Sequence, residues 1–247
     1  MDGWTEWRRN RRYVSLQTVS DTNFARIRKS LSSGEAGWLK SLDFKPKPGH
    51  TALLADAKGQ LQKVLVGVAD DDPLWALGAL PFTLPPADYV LEGEHLPPLA
   101  ALGWALGAYD FDRYRASSRA PARLALARAQ IDALRARAQA VCLVRDLVNT
   151  PTADMGPTQL AEQIVALGKR YQARVRQWIG PQLLKHNFPT IHAVGRAATD
   201  APRLVELRWG RKDDPKVTLV GKGVCFDTGG LDIKGSEGMR WMKKDMG

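Results

Sequence analysis

Val217-Thr218-Leu219-Val220-Gly221-Lys222-Gly223-Val224-Cys225-Phe226-Asp227-Thr228-Gly229-Gly230-Leu231-Asp232-Ile233-Lys234 is the stretch on which the reading of this sequence turns. It opens as an apolar, β-branched run, Val217 to Val220, with the composition of a buried strand. Glycines flank Lys222 and two more follow Asp227-Thr228, which frees the backbone to turn sharply and to approach a bound ion closely. Asp245 comes next, in Met242-Lys243-Lys244-Asp245-Met246, which reads as the start of a helix. A carboxylate at a strand end, joined by another from a neighbouring element, is how hard oxygen ligands gather around divalent cations. Lysine is the odd member of such a set. To ligate it must lose its proton, and bringing its pKa from a reference near 10.4 down to neutrality costs about 5 kcal/mol, which a nearby dication has to supply. Without a metal, Lys222 is simply a cation paired with Asp227 or Asp245. Spacing alone leaves the metal site and the salt-bridged turn level.

Working outward, Arg203 to Trp209 reads as another strand, separated from the motif by the turn-rich Gly210 to Pro215. Pro157 to Tyr171 has helical periodicity, and Arg174 to Ile179 reads as a strand. Further upstream, Leu124, Ala127, Ile131, Leu134, Ala138, Val141 and Val148 fall on one stripe, predicting a long helix from Ser117 towards Asn149. Thr150-Pro151 ends it, because the residue before proline is pushed out of the α region. The first part of the chain is also mixed: Thr51 to Ala55, Gln62 to Val68 and Asp88 to Leu91 read as strands, and Leu99 to Tyr109 as a helix, between prolines at 73, 81, 85, 86, 97 and 98. The class is α/β, with a domain boundary near residues 115 to 130.

Composition sets the outer limits. With 247 residues, 44% hydrophobic and 25% charged, the chain has the make-up of a folded protein. Its apolar runs are too short for a membrane span, and Met1 to Tyr13 is basic, without the apolar stretch of a secretory signal. A cytoplasmic location follows as the expectation. The two cysteines, Cys142 and Cys225, have no paired spacing and read as buried free thiols. A net charge of +10 raises the prior for nucleic acid, but Arg123, Arg128, Arg135 and Arg137 read as the solvated face of the long helix.

The pattern of Lys222, Asp227, Lys234 and Asp245, set in Gly-Lys-Gly, Phe-Asp-Thr-Gly-Gly and Met-Lys-Lys-Asp-Met, resembles the metal-binding signature of the leucyl aminopeptidase family of dinuclear metallo-exopeptidases. Supporting similarity runs through Arg145 to Pro151, Ala193-Val194-Gly195 and Pro202-Arg203-Leu204, and more weakly through Tyr109 to Asp112. The resemblance implies a macro-domain-like α/β domain over 1–115, a linking helix over 116–150 and the first part of an α/β catalytic domain over 151–247. It implies that Lys222, Asp227 and Asp245 ligate two divalent ions, manganese or zinc, with Asp227 bridging. Lys234 would be the catalytic lysine that steadies the oxyanion, and Met242 would line the pocket for the first side chain of a peptide substrate. A homo-hexamer and a bicarbonate base belong to the same implication. The family's second signature, Asn-Thr-Asp-Ala-Glu-Gly-Arg, supplies two more carboxylates and the arginine that holds bicarbonate, and these 247 residues contain no such stretch. The expectation is therefore a truncated chain with little or no peptidase activity of its own. Thr228 stands where serine is common, and Arg196-Ala197-Ala198 replaces a small Gly-Ser-type stretch. Two other readings compete: a basic N-terminal module that binds nucleic acid, and a catalytically dead subunit that still assembles.

Overall fold

The computed structural model describes residues 3–69, 72–92 and 97–246, with side chains described up to Lys244. The chain divides into two compact units, Met1–Cys142 and Leu143–Gly247.

The first unit is built on a six-stranded sheet of β1 (Trp4–Glu6), β2 (Val14–Val19), β3 (Thr51–Ala55), β4 (Leu61–Gly67), β5 (Asp88–Leu91) and β6 (Arg123–Leu126). The spatial order is β1-β6-β5-β2-β4-β3, parallel throughout except for the antiparallel β3–β4 edge. A mostly parallel sheet needs helices on both faces, because its crossovers run over them. Here α1 (Phe24–Ser30) and α2 (Ser33–Ser41) supply Ile27 and Leu39 to a core with Val19, Ala52, Leu54 and Leu65. A larger core sets Val14, Leu16, Val64, Val66, Tyr89 and Leu124 against α4 (Pro98–Gly107) and α5 (Arg128–Asn149), with α3 (Leu80–Thr83) joining them. Val64 and Val66 enter one core and Leu65 the other, as the two-residue repeat of a strand requires. Trp104, fully buried, donates its indole N–H to the Ala122 carbonyl, and Tyr89 its hydroxyl to Pro85.

Two expectations need correction here. Residues 117–127 are not helical: Arg123–Leu126 is β6, between β1 and β5, and the helix starts at Arg128. Pro121 cannot sit inside a helix, and Leu124, Ala125 and Leu126 are all buried, so a short central strand satisfies the same apolar residues. Cys142, read as buried, is only half so, whereas Cys225 is buried.

In the second unit, α6 (Pro157–Arg170) packs on the antiparallel pair β7 (Arg174–Ile179) and β8 (Arg203–Arg208). Two short helices, α7 (Pro181–Lys185) and α8 (Pro189–Gly195), connect the strands, and α9 (Ser236–Trp241) with a 3-10 turn, Met242–Met246, closes the described chain. The strand expected at Val217 to Val220 does not form. Val217, Leu219 and Val220 are 83%, 91% and 94% exposed, and among the described residues β8 pairs only with β7. Strand propensity is expressed only where a neighbouring strand takes up the backbone N–H and C=O groups.

The packing of α4 supplies a test. A methyl at Gly103 would fall on the Leu74 carbonyl oxygen and one at Gly107 on that of Gly78, whereas Gly37 in α2 has open space around it. Gly103→Ala is expected to destabilise by about 3 kcal/mol through overpacking, and Gly37→Ala to stabilise by about 0.5 to 1 kcal/mol. Urea unfolding followed by circular dichroism measures both, and equal effects would contradict the close approach.

Candidate active site

The motif segment is fastened to the second unit at a corner. Where α5 ends, the Thr150 hydroxyl donates back to Asp146 at 2.6 Å, which terminates the helix ahead of Pro151. Two residues on, the Thr152 hydroxyl donates to the Cys225 carbonyl at 2.8 Å, across 73 residues of chain. Met155 and Cys225 form a small buried cluster with Leu147 and Leu160. Burial, and then the nearby Asp200 charge, push the Cys225 thiol upward, so it stays protonated and inert.

From this anchor the chain reaches Asp227 and folds into a closed loop. Gly229 and Gly230 adopt φ of +92° and +69°, and at Gly229 a side chain would run into the Asp232 carbonyl. The turn brings the Lys234 N–H to the Thr228 carbonyl at 2.9 Å. The Asp227 carboxylate then accepts from the Gly229 N–H at 2.8 Å through Oδ1 and from the Lys234 ammonium at 2.6 Å through Oδ2. Those bonds, the Lys234 one first, hold the Asp227 carboxyl below its ordinary value. The Lys234 Nζ also lies 3.7 Å from the Met242 sulfur, and Met242 is 7% exposed. Lys243 donates to the Asn149 side-chain oxygen at 3.4 Å, tying the 3-10 turn to the end of α5. A cavity of about 290 Å³ opens beside them, lined by Asn149, Thr150, Phe226, Met239, Met242 and Lys243 among others.

The structure thus brings Asp227, Lys234 and Met242 together. Lys222 is near enough to act on the Asp227 charge, yet Lys234 is the lysine that pairs with it; of the two partners the turn reading gave Lys222, Asp227 or Asp245, the first is taken by Lys234. Asp245 lies on the 3-10 turn, and its side chain is outside the described residues. Among the described residues no three His, Cys, Asp or Glu side chains converge. Both Asp227 oxygens are engaged, and residues 221–247 carry Lys222, Lys234, Arg240, Lys243 and Lys244 against Asp227, Asp232, Glu237 and Asp245. The described residues, as arranged, do not fit a metal pair.

Sequence reasoning missed the clamp beneath the motif. Asp200 accepts from the Thr158 N–H at 2.7 Å and hydroxyl at 2.6 Å, and from Arg203 at 2.7 Å. It caps α6, whose own N-cap, Gly156, has no side-chain acceptor to offer. The missing cap at Gly156-Pro157 was a visible signal that an acceptor had to come from elsewhere, but nothing local pointed to Asp200, 42 residues away.

Comparison with known proteins adds the following. Residues 142–247 match the model of the cytosol aminopeptidase family catalytic domain, and residues 14–127 that of the M17 aminopeptidase N-terminal domain. The probable cytosol aminopeptidase of Rhodococcus jostii is 37% identical over 166 residues, 60% of this chain and 33% of that protein. That of Clostridium perfringens is 32% identical over 162 residues, 59% of this chain and 33% of that protein. The crystal structure of cytosol aminopeptidase from Coxiella burnetii superposes with a TM-score of 0.91 at 36% identity, covering 98% of this chain and 54% of that one. The bottromycin maturation enzyme BotP in complex with Mn superposes at 0.71 and 28% identity, covering 91% and 50%. The chain spans about half the length of these solved relatives, and its matched part a third of the curated ones.

The clamp predicts a pH dependence. Burial pushes the Asp200 carboxyl up, but hydrogen bonds from Thr158 and the Arg203 charge outweigh it and leave the pKa lowered. A carboxyl lowered on folding contributes stability above its unfolded value, near 3.9, and loses that contribution as pH falls through the folded one. Asp200→Asn is therefore expected to cost about 1 kcal/mol at pH 7 and to flatten the loss of stability between about pH 5 and pH 3. Parallel wild-type and variant curves in urea titrations across that range would remove Asp200 from this role.

Proposed function

This chain belongs to the cytosol aminopeptidase family, and from that premise we propose that it is part of a metal-dependent aminopeptidase that releases N-terminal residues, leucine-type, from peptides. The observation that carries the reading is the juxtaposition of Asp227, Lys234 and Met242 in a loop closed by left-handed glycines, within the segment that matches the catalytic domain. The resemblance assigns Lys222, Asp227 and Asp245 to two divalent ions, an assignment that the described arrangement, with both Asp227 oxygens engaged, does not by itself fulfil. Manganese or zinc is proposed; the BotP relative is in complex with Mn. A bicarbonate base and a homo-hexamer are part of the same proposal, as is a cytoplasmic location, in keeping with the name of the relatives. No helix among the described residues is long and apolar enough to cross a membrane.

The side chains suit the roles proposed. An ammonium beside a scissile carbonyl donates a hydrogen bond that strengthens as the oxygen becomes anionic, which is the work assigned to Lys234. Met242, buried at the rim of the cavity, offers an adaptable apolar contact to a substrate side chain. The 247 residues by themselves are proposed to turn over little, because both Asp227 oxygens are engaged and among the described residues no three His, Cys, Asp or Glu side chains converge. A nucleic-acid role is not favoured. Arg11, Arg128 and Arg135 are paired with Asp88 or Asp132, which leaves less of the basic surface for phosphates.

Leucine p-nitroanilide hydrolysis with added Mn²⁺ or Zn²⁺ tests this in two arms. The 247-residue chain is expected to stay at the level of its Lys234→Ala variant. A chimera continuing into the unmatched half of the Coxiella burnetii enzyme is expected to turn over, and Lys234→Ala in it to lower kcat by a hundredfold or more. A folded chimera without activity would overturn the proposal.

A further inference from the structure

The cavity beside Met242 has walls of two kinds. Val148, Phe226, Met239 and Met242 make it apolar, Arg240 and Lys243 bring cationic heads to it, and none of its described lining residues is acidic. Arg240 lies in the last turn of α9 and Lys243 in the 3-10 turn that follows, three residues on, a spacing that sets both side chains on one side. Lys243 spends one proton on the Asn149 oxygen, at a long 3.4 Å, and an ammonium has three to give. Arg240 forms no ion pair with a described residue, and its planar fork of N–H donors matches the two oxygens of a carboxylate. At about 290 Å³ the cavity lies at the small end of ligand pockets, roughly 300 to 1,000 Å³. That is room for one residue and not for a long segment.

We propose that this cavity is a binding site for the carboxyl-terminal residue of a short peptide, its apolar side chain against Met239, Met242 and Phe226 and its free carboxylate on Arg240 and Lys243. The walls select that class by charge. An apolar lining asks for an apolar body, and two cations without a described acid beside them ask for a ligand that is negative and carries no positive charge close to its carboxylate. A free amino acid fails, because its ammonium would be set among cations. The last residue of a peptide meets the demand, since its nitrogen is acylated and neutral. That the ligand is a peptide rests on the aminopeptidase reading, which the site deepens by naming the peptides that fit: short ones that end in an apolar residue. Met242, whose sulfur lies 3.7 Å from the Lys234 ammonium, also lines the cavity, so one side chain joins the site to the lysine proposed to act in turnover. Binding itself requires neither Lys234 nor Asp227.

The test is a titration of the 247-residue chain, labelled with ¹³C at its methionine methyl groups, whose Met239 and Met242 signals are assigned through Met239→Leu and Met242→Leu. N-acetylleucine is expected to move both signals along one saturable curve, and N-acetylleucinamide, the same body without the charge, to bind about threefold to tenfold more weakly. Glycylglycylleucine is expected to follow N-acetylleucine. Arg240 and Lys243 are exposed, so the double variant Arg240→Gln, Lys243→Gln leaves the apolar walls in place; it is expected to bind acid and amide alike. Equal binding of acid and amide by the unaltered chain, or no movement of the two signals with either, would overturn the site. A preference that survives in the double variant would take it away from these cations, and failure of glycylglycylleucine alone would overturn the peptide as ligand. None of these readings involves turnover, so an inactive chimera would sink the aminopeptidase proposal and leave the binding result standing.

Discussion

A strand's backbone must be hydrogen-bonded along both edges or exposed to water along one, and that constraint sorts the whole molecule. In the first unit it is met. β2 lies between β4 and β5, and β5 between β2 and β6, in parallel register, so the interior strands leave few groups unpaired and can carry apolar residues on both faces. Trp104 and Tyr89 then fill one core and still find acceptors for their polar atoms. In the second unit the sheet has two strands, and Val217, Leu219 and Val220, with the composition of a third, lie in water. The difference is one of available partners rather than of propensity.

How much was legible in the sequence follows from the range of the interactions. The α/β class was, because alternation in Gln62 to Val68 and periodicity in Pro157 to Tyr171 are local records of which face is buried. β6 was not, since the Leu124, Ala127, Ile131 spacing fits a helix as well, and only the neighbours β1 and β5 decide between them. Strands β1 and β2 drew no notice for a related reason. Trp4–Glu6 is three residues long, and Val14–Val19 carries a buried Ser15 and the half-buried Gln17 and Thr18, whose burial comes from packing rather than from apolar character.

The candidate site divides along the same line. Its residue types and spacing were visible, but the choice of Lys234 over Lys222 as partner of Asp227 depends on two consecutive left-handed glycines folding the loop back on itself. Glycine announces that such a turn is possible without fixing its direction. The Asp200 clamp, joining residues 42 apart, left only the trace of an uncapped helix start.

What separates the loop from its setting is therefore contact range. From Asp227 to Lys234 every bond that shapes the loop is made within eight residues, so the closing entropy is small and the geometry forms whether or not strands pair nearby. Gathering several carboxylates around that loop requires elements distant in sequence, and among the described residues no group of three His, Cys, Asp or Glu forms. A lysine close in sequence costs little to recruit and is already present when a carboxylate has no metal. The aspartate is then satisfied by the nearest cation its own loop can supply.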